Sequence, residues 1–111
     1  MKKYVFLFFM LVSNFSFAQK FKNLALTPPM GWNSWNKFQC DSINETVVRE
    51  VADAMVSSGM KDAGYQYRVI DDCCQIARDS AGFIMADSTE FPSGIKALAN
   101  YVQSKGLKLG I

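Results

Sequence analysis

Strand-like and helix-like runs alternate along this chain, and the alternation limits its fold more than any other feature. Residues 30–35 read as a first strand. Ser42-Ile43-Asn44-Glu45 has capping-box spacing, a Ser followed three residues later by Glu. After it Val47, Val48, Val51, Ala52 and Met55 fall on one helical face, and Gly59 supplies a C-terminal stop. Ala63-Gly64 turns the chain into a second strand over residues 66–70. A long excursion then runs from Cys73 to Gly94. Within it Asp79-Ser80-Ala81-Gly82 is a turn flanked by Ile76-Ala77 and Phe83-Ile84, the pattern of a small hairpin. Phe91-Pro92-Ser93-Gly94 leads into a second helix, with Ile95, Leu98, Ala99 and Val102 inward and Gly106 closing it. Residues 107–111 read as a third strand.

A β-α-β-α-β order implies parallel strands joined by right-handed crossovers. Two closures remain open, a doubly wound sheet and a (β/α)8 barrel. No Gly-x-Gly-x-x-Gly follows the first strand, which takes support from a dinucleotide fold. A complete barrel needs about 250 residues and eight strands. The chain has 111 residues and reads as unfinished, ending on a strand with no helix after it.

Asp71 and Asp72 sit at the C-terminal end of Tyr67-Arg68-Val69-Ile70. Ligands of α/β folds bind at that rim. Two like charges against a buried strand are costly unless something polar satisfies them, and the vicinal hydroxyls of a sugar would. The second candidate segment is Thr27-Pro28-Pro29-Met30-Gly31-Trp32-Asn33-Ser34-Trp35. Its prolines hold the chain extended. Gly31 lets the backbone approach something closely. Trp32 reads as core. Trp35, at the far end of the strand, suits either the core or the C–H face of a sugar ring.

The N-terminus has a leader pattern. Met1-Lys2-Lys3 is positive, residues 4–12 are apolar, and Ser16-Phe17-Ala18 has small-x-small form. Residues 1–18 are therefore expected to be a signal peptide cut before Gln19, leaving an exported chain, periplasmic or secreted. The apolar run is shorter than the about 20 residues a membrane helix needs, so no membrane association is expected after cleavage. Without Lys2 and Lys3, basic and acidic residues balance at ten each. No basic patch interleaved with aromatics points to nucleic acid. Export permits disulfides among Cys40, Cys73 and Cys74, with one Cys left over. The chain has no His, and adjacent Cys73-Cys74 lacks zinc-site spacing, so neither metal nor cofactor is expected.

Taken in order, these segments resemble glycoside hydrolase family 27, the α-galactosidases or melibiases and their relatives. The resemblance opens with Leu24-Ala25-Leu26-Thr27-Pro28-Pro29-Met30-Gly31-Trp32-Asn33-Ser34-Trp35. It continues through Phe38, Cys40, Ala54-Met55-Val56, Gly64-Tyr65, Ile70-Asp71-Asp72-Cys73, Arg78-Asp79-Ser80, Phe91-Pro92-Ser93-Gly94 and Lys105-Gly106-Leu107-Lys108-Leu109-Gly110-Ile111. It implies an α/β fold in which residues 19–111 form the first three β/α units of a (β/α)8 TIM barrel, truncated. It also implies hydrolysis of terminal α-D-galactosides with retention, from an oligosaccharide or polysaccharide substrate. Trp35 then packs on the sugar, Asp71 and Asp72 bind its hydroxyls, and a Cys40–Cys73 disulfide braces the pocket wall. Nucleophile and acid/base belong to later strands, so this segment alone is expected to be inactive.

The family usually carries Trp where this chain has Cys74, a departure that bears on sugar preference. The alternatives within the fold are α-N-acetylgalactosaminides and β-L-arabinopyranosides as substrates. The alternative outside enzymes is a secreted carbohydrate-binding fragment. Asp79 and Asp87 read as solvated turn residues, and Glu45 as a helix cap.

Overall fold

The structure is a computed structural model that describes Asn23 and residues 25–111. The leader expected over residues 1–18 lies outside the described residues. Three short parallel strands form the main sheet, β1 (Gly31–Asn33), β2 (Tyr67–Val69) and β5 (Lys108–Gly110), in the order β1-β2-β5. Between β1 and β2 run a four-residue helix α1 (Trp35–Phe38) and the longer α2 (Glu45–Ser57). Between β2 and β5 come an antiparallel hairpin, β3 (Gln75–Arg78) with β4 (Ile84–Ala86), and then α3 (Gly94–Ser104).

Register decides what each face does. Trp32, Arg68 and Leu109 lie side by side across the three strands. Side chains alternate along a strand, so these three share one face. Trp32 and Leu109 pack on the core there, which draws Val48, Ala52 and Met55 from α2 and Leu98 and Val102 from α3. Ile43, Ile70, Cys74, Phe91 and Leu107 complete it. Truncating fully buried Leu98 to Ala should cost about 2–5 kcal/mol. The opposite face carries Gly31, Asn33, Tyr67, Val69, Lys108 and Gly110, none of them fully buried. Gly31 is required by the sheet itself. A Cβ there would meet the Tyr67 carbonyl and lie 2.6 Å from Tyr67 Cβ. The close approach is thus to the neighbouring strand.

The elements differ from the sequence expectation at their ends. The first strand stops at Asn33, because Asn33 Oδ1 accepts the Trp35 N–H and starts α1. Trp35 therefore opens a helix and does not end a strand. The cap of α2 is Asn44 and not Ser42. Asn44 is extended, with φ −151°, and its Oδ1 accepts the Val47 N–H at 2.9 Å. Glu45 is freed from capping its own helix. Its Oε1 accepts from Arg49, and its Oε2 accepts the Ser93 N–H at 2.9 Å. The hairpin forms where expected, with Asp79 Oδ1 accepting the N–H groups of Ala81 and Phe83 to close the turn.

Candidate functional site

The C-terminal ends of β1 and β2 meet at one rim. Ser34, fully buried after β1, donates its N–H to the Val69 carbonyl, while its Oγ accepts the Asp71 N–H at 3.0 Å. Asn33 reaches across the same gap. Its Nδ2 donates to Asp71 Oδ2 at 3.0 Å, and its Oδ1 accepts the Trp35 N–H at 2.9 Å. One amide therefore joins the segment carrying an exposed carboxylate to the segment carrying Trp35, a residue 40% exposed.

Asp71 and Asp72 lie beyond the end of β2 at Val69. The alternation that would send consecutive strand residues to opposite sides has ended there. Asp72 and Cys73 instead take left-handed backbone, with φ of 52° and 58°. Such conformations cost of order 1–3 kcal/mol each for residues other than Gly, and surrounding bonds must hold them. Asp72 Oδ1 supplies two of these bonds, accepting Cys73 N–H at 2.8 Å and Gln75 Nε2 at 2.6 Å. The Cys73 N–H, and then the Gln75 amide, hold the Asp72 carboxyl below the usual carboxylate range, so it is ionised at neutral pH. A third restraint is covalent. Cys73 is bonded to Cys40, with the Cα atoms 5.3 Å apart.

Cys40, Asp72 and Cys73 gather their ligand-type atoms within 4.8 Å of one another. The two sulfurs are joined to each other, so the group offers one carboxylate and no thiolate, a poor donor set for any metal. Cys74 is free and buried, its Sγ 3.3 Å from Gln75 Oε1. Burial pushes its thiol pKa up, which keeps it unreactive.

The structure thus brings Trp35, Asp71 and Asp72 to one rim and places the Cys40–Cys73 bond next to Asp72. Asp71 Oδ1 and Asp72 Oδ2 accept no hydrogen bond among the described residues. Two such acceptors, on the rim that also carries the partly exposed Trp35, suit a polyhydroxylated ring, hydroxyls on the edge and C–H bonds on the face. Sequence reasoning passed over Asn33, Ser34 and Gln75. A usable signal existed for Asn33, since Asn two residues before a helix start commonly accepts a main-chain N–H there.

Relatives place this rim in a family. The family described as Alpha galactosidase A (Melibiase_2) matches residues 27–111. The chain is 62% identical over 102 residues to alpha-galactosidase A of Cellvibrio japonicus, covering 92% of this chain and 25% of that protein. Its fold is similar to that of alpha-galactosidase I from Mortierella vinacea, with TM-score 0.76 and 49% identity over 80% of this chain and 22% of that one. It is similar also to the alfa-galactosidase of Saccharomyces cerevisiae solved with raffinose, at TM-score 0.73 and 41% identity over 78% of this chain and 19% of that one. The chain belongs to the Alpha galactosidase A family. It spans about a quarter of the length of the curated relatives it matches.

Proposed function

We propose that this chain is the N-terminal portion of a retaining glycosidase that releases terminal α-D-galactose from oligosaccharide or polysaccharide galactosides. Its relatives, named as alpha-galactosidases, support the activity. In this reading residues 19–111 belong to the catalytic domain, and β1, β2 and β5 are the first three strands of a (β/α)8 barrel. Their C-terminal ends then form the catalytic rim. Residues 1–18 are the export leader, which N-terminal sequencing of the mature protein at Gln19 would test. The observation that carries the reading is the meeting of Asp71, Asp72 and Trp35 at one rim.

The chemistry follows from what these groups can do. The unused oxygens of Asp71 and Asp72 accept hydroxyl protons of the terminal sugar, and Trp35 covers its apolar face. The pair binds and does not react. Retaining chemistry needs a nucleophile and an acid/base on either side of the scissile bond, about 5–5.5 Å apart. Here one carboxylate is engaged by Asn33 and its neighbour by Gln75. The reacting carboxylates come from strands outside the described residues.

The test is kcat/KM on an aryl α-D-galactoside for the full-length protein carrying Asp71→Asn or Asp72→Asn. Each charge-assisted bond to a sugar hydroxyl is worth about 1.5–3 kcal/mol, so each variant should lose roughly tenfold to a hundredfold. Near wild-type values for both folded variants would assign the pair to structure and withdraw the sugar site.

A further inference from the structure

We propose that Asn33 is a positioning residue for galactose recognition, its one side-chain amide setting the Asp71 carboxylate and the Trp35 segment in fixed relation. The proposal rests on the galactoside reading above and concerns how that site is kept in shape. Asn33 closes β1 opposite Val69 of β2, on the sheet face that the helices leave uncovered. From there it spans two segments 38 residues apart in sequence, donating Nδ2 to Asp71 and accepting the Trp35 N–H on Oδ1.

The amide can be oriented only one way. The Trp35 N–H requires an acceptor, which assigns Oδ1 to that side. Nδ2 is then left for the carboxylate, which requires a donor. The flipped amide would set N–H against N–H and oxygen against carboxylate. No other uncharged side chain of this length offers both a donor and an acceptor. Leu fills the volume and makes neither bond. Asp keeps the Trp35 acceptor and puts a second carboxyl against the first.

The groups around Asp71 leave the task to Asn33. The adjacent Asp72 is engaged with Cys73 and Gln75. Arg78 of the hairpin donates to the Gly82 carbonyl. The ion pairs among the described residues are Arg49–Glu45 and Lys105–Asp53, so neither Lys37 of α1 nor any arginine pairs with Asp71. Ser34 fixes the Asp71 main chain, but among the described residues the carboxylate is held by Asn33 alone. Without Asn33 that carboxylate can rotate away from the sugar, and the Trp35 N–H at the start of α1 loses its acceptor.

The experiment compares wild type, Asn33→Leu and Asn33→Asp in the full-length protein, with p-nitrophenyl α-D-galactoside as substrate across pH. Asn33→Leu should raise KM about tenfold with kcat within about twofold, since the lost contact serves bound substrate and transition state alike. Asn33→Asp should be pH-dependent relative to wild type. Two carboxyls at this distance compete for one proton, so the introduced group holds a proton more readily than an isolated carboxyl and, when protonated, donates as the amide did. Its KM should approach wild type at acid pH. The ratio of variant to wild-type KM should then climb as pH rises and that proton is lost. A merely structural Asn33 would give a ratio flat in pH. A flat ratio, or a wild-type KM in folded Asn33→Leu, overturns the proposal. If Asn33→Leu does not fold, Asn33→Asp decides alone, because it keeps the Trp35 bond. A wild-type protein inactive on the galactoside overturns the proposed function and this inference with it. An active wild type with indifferent variants overturns this inference only.

Discussion

Glu45 Oε2 accepts the backbone N–H of Ser93 at 2.9 Å, joining the start of α2 to the start of α3 across 48 residues of chain. Ser93 occupies the N-cap position of α3 but makes no capping bond with its own side chain. A carboxylate from the neighbouring helix meets that N–H and brings negative charge to the positive end of α3. The Glu45 main chain ties the same region, its N–H donating to the Glu90 carbonyl at 2.9 Å.

Glu45→Ala should therefore destabilise the full-length protein by about 1–3 kcal/mol, the range for losing a hydrogen bond to a charged group. Glu45→Gln keeps an acceptor and should cost less. The Ser93 N–H first, and Arg49 second, hold the Glu45 carboxyl below its ordinary value. A depressed carboxyl stabilises the fold above its unfolded-state value and loses that contribution as pH falls through the folded-state value. The Tm gap between wild type and Glu45→Gln should thus narrow on acidification. A gap constant from neutral pH down to about 3 would show that the charge contributes nothing.

Arg68 is fully buried, and its Nε and Nη2 have no partner among the described residues. Its guanidinium lies 4.9 Å from the Trp32 ring centroid and reaches only the Val69 carbonyl. Burial pulls its pKa down to about 10, so the charged form is penalised at every pH below that. Arg68→Leu should raise stability by about 1 kcal/mol or more, since an apolar side chain replaces an unpaired buried cation. Thermal melting of the full-length pair checks it. A clear fall in Tm would mean that the stacking on Trp32 outweighs the desolvation.

Peptide mapping of the oxidised protein should recover Cys40 joined to Cys73 and Cys74 as a thiol. Because burial raises the Cys74 pKa, iodoacetamide should label it slowly in native protein and fully in denaturant. A Cys40–Cys74 peptide, or fast native labelling, would contradict the arrangement.

Residues 19–111 expressed alone should not melt cooperatively. Among the described residues the sheet leaves one face without cover, with Tyr67 and Val69 half-buried on it, and β1 and β5 each present an unpaired edge. Open parallel edges template association. A sharp two-state transition of the monomeric fragment would refute this.

The β-α-β-α-β order was legible because each helix shows its apolar period and each strand a short apolar run. The acid pair was legible because carboxylates at a strand end are conspicuous. What escaped was set by three-dimensional neighbours. Ser42 satisfied the capping-box spacing, yet Asn44 has the extended backbone that lets its side chain reach Val47. Glu45 looked local, yet its partner is Ser93. Trp35 looked like the end of a strand, because the Asx turn that starts α1 depends on Asn33 being aimed at it. No spacing rule announces the left-handed backbone at Asp72 and Cys73, which follows from the Cys40 tether and the Gln75 amide.

The Cys40–Cys73 bond also turns the polypeptide into a closed ring that contains all of α2 and β2. Both halves of the ring begin at the disulfide, one at Cys40, just past α1, and the other at Cys73, next to Asp72. A protease that nicks the turn over residues 59–64 would therefore yield two peptides still joined beside the pocket. Such a clipped protein should migrate as one species on a non-reducing gel and separate only when a reductant is added. The galactoside binding proposed for this rim should persist in the clipped form until the same moment.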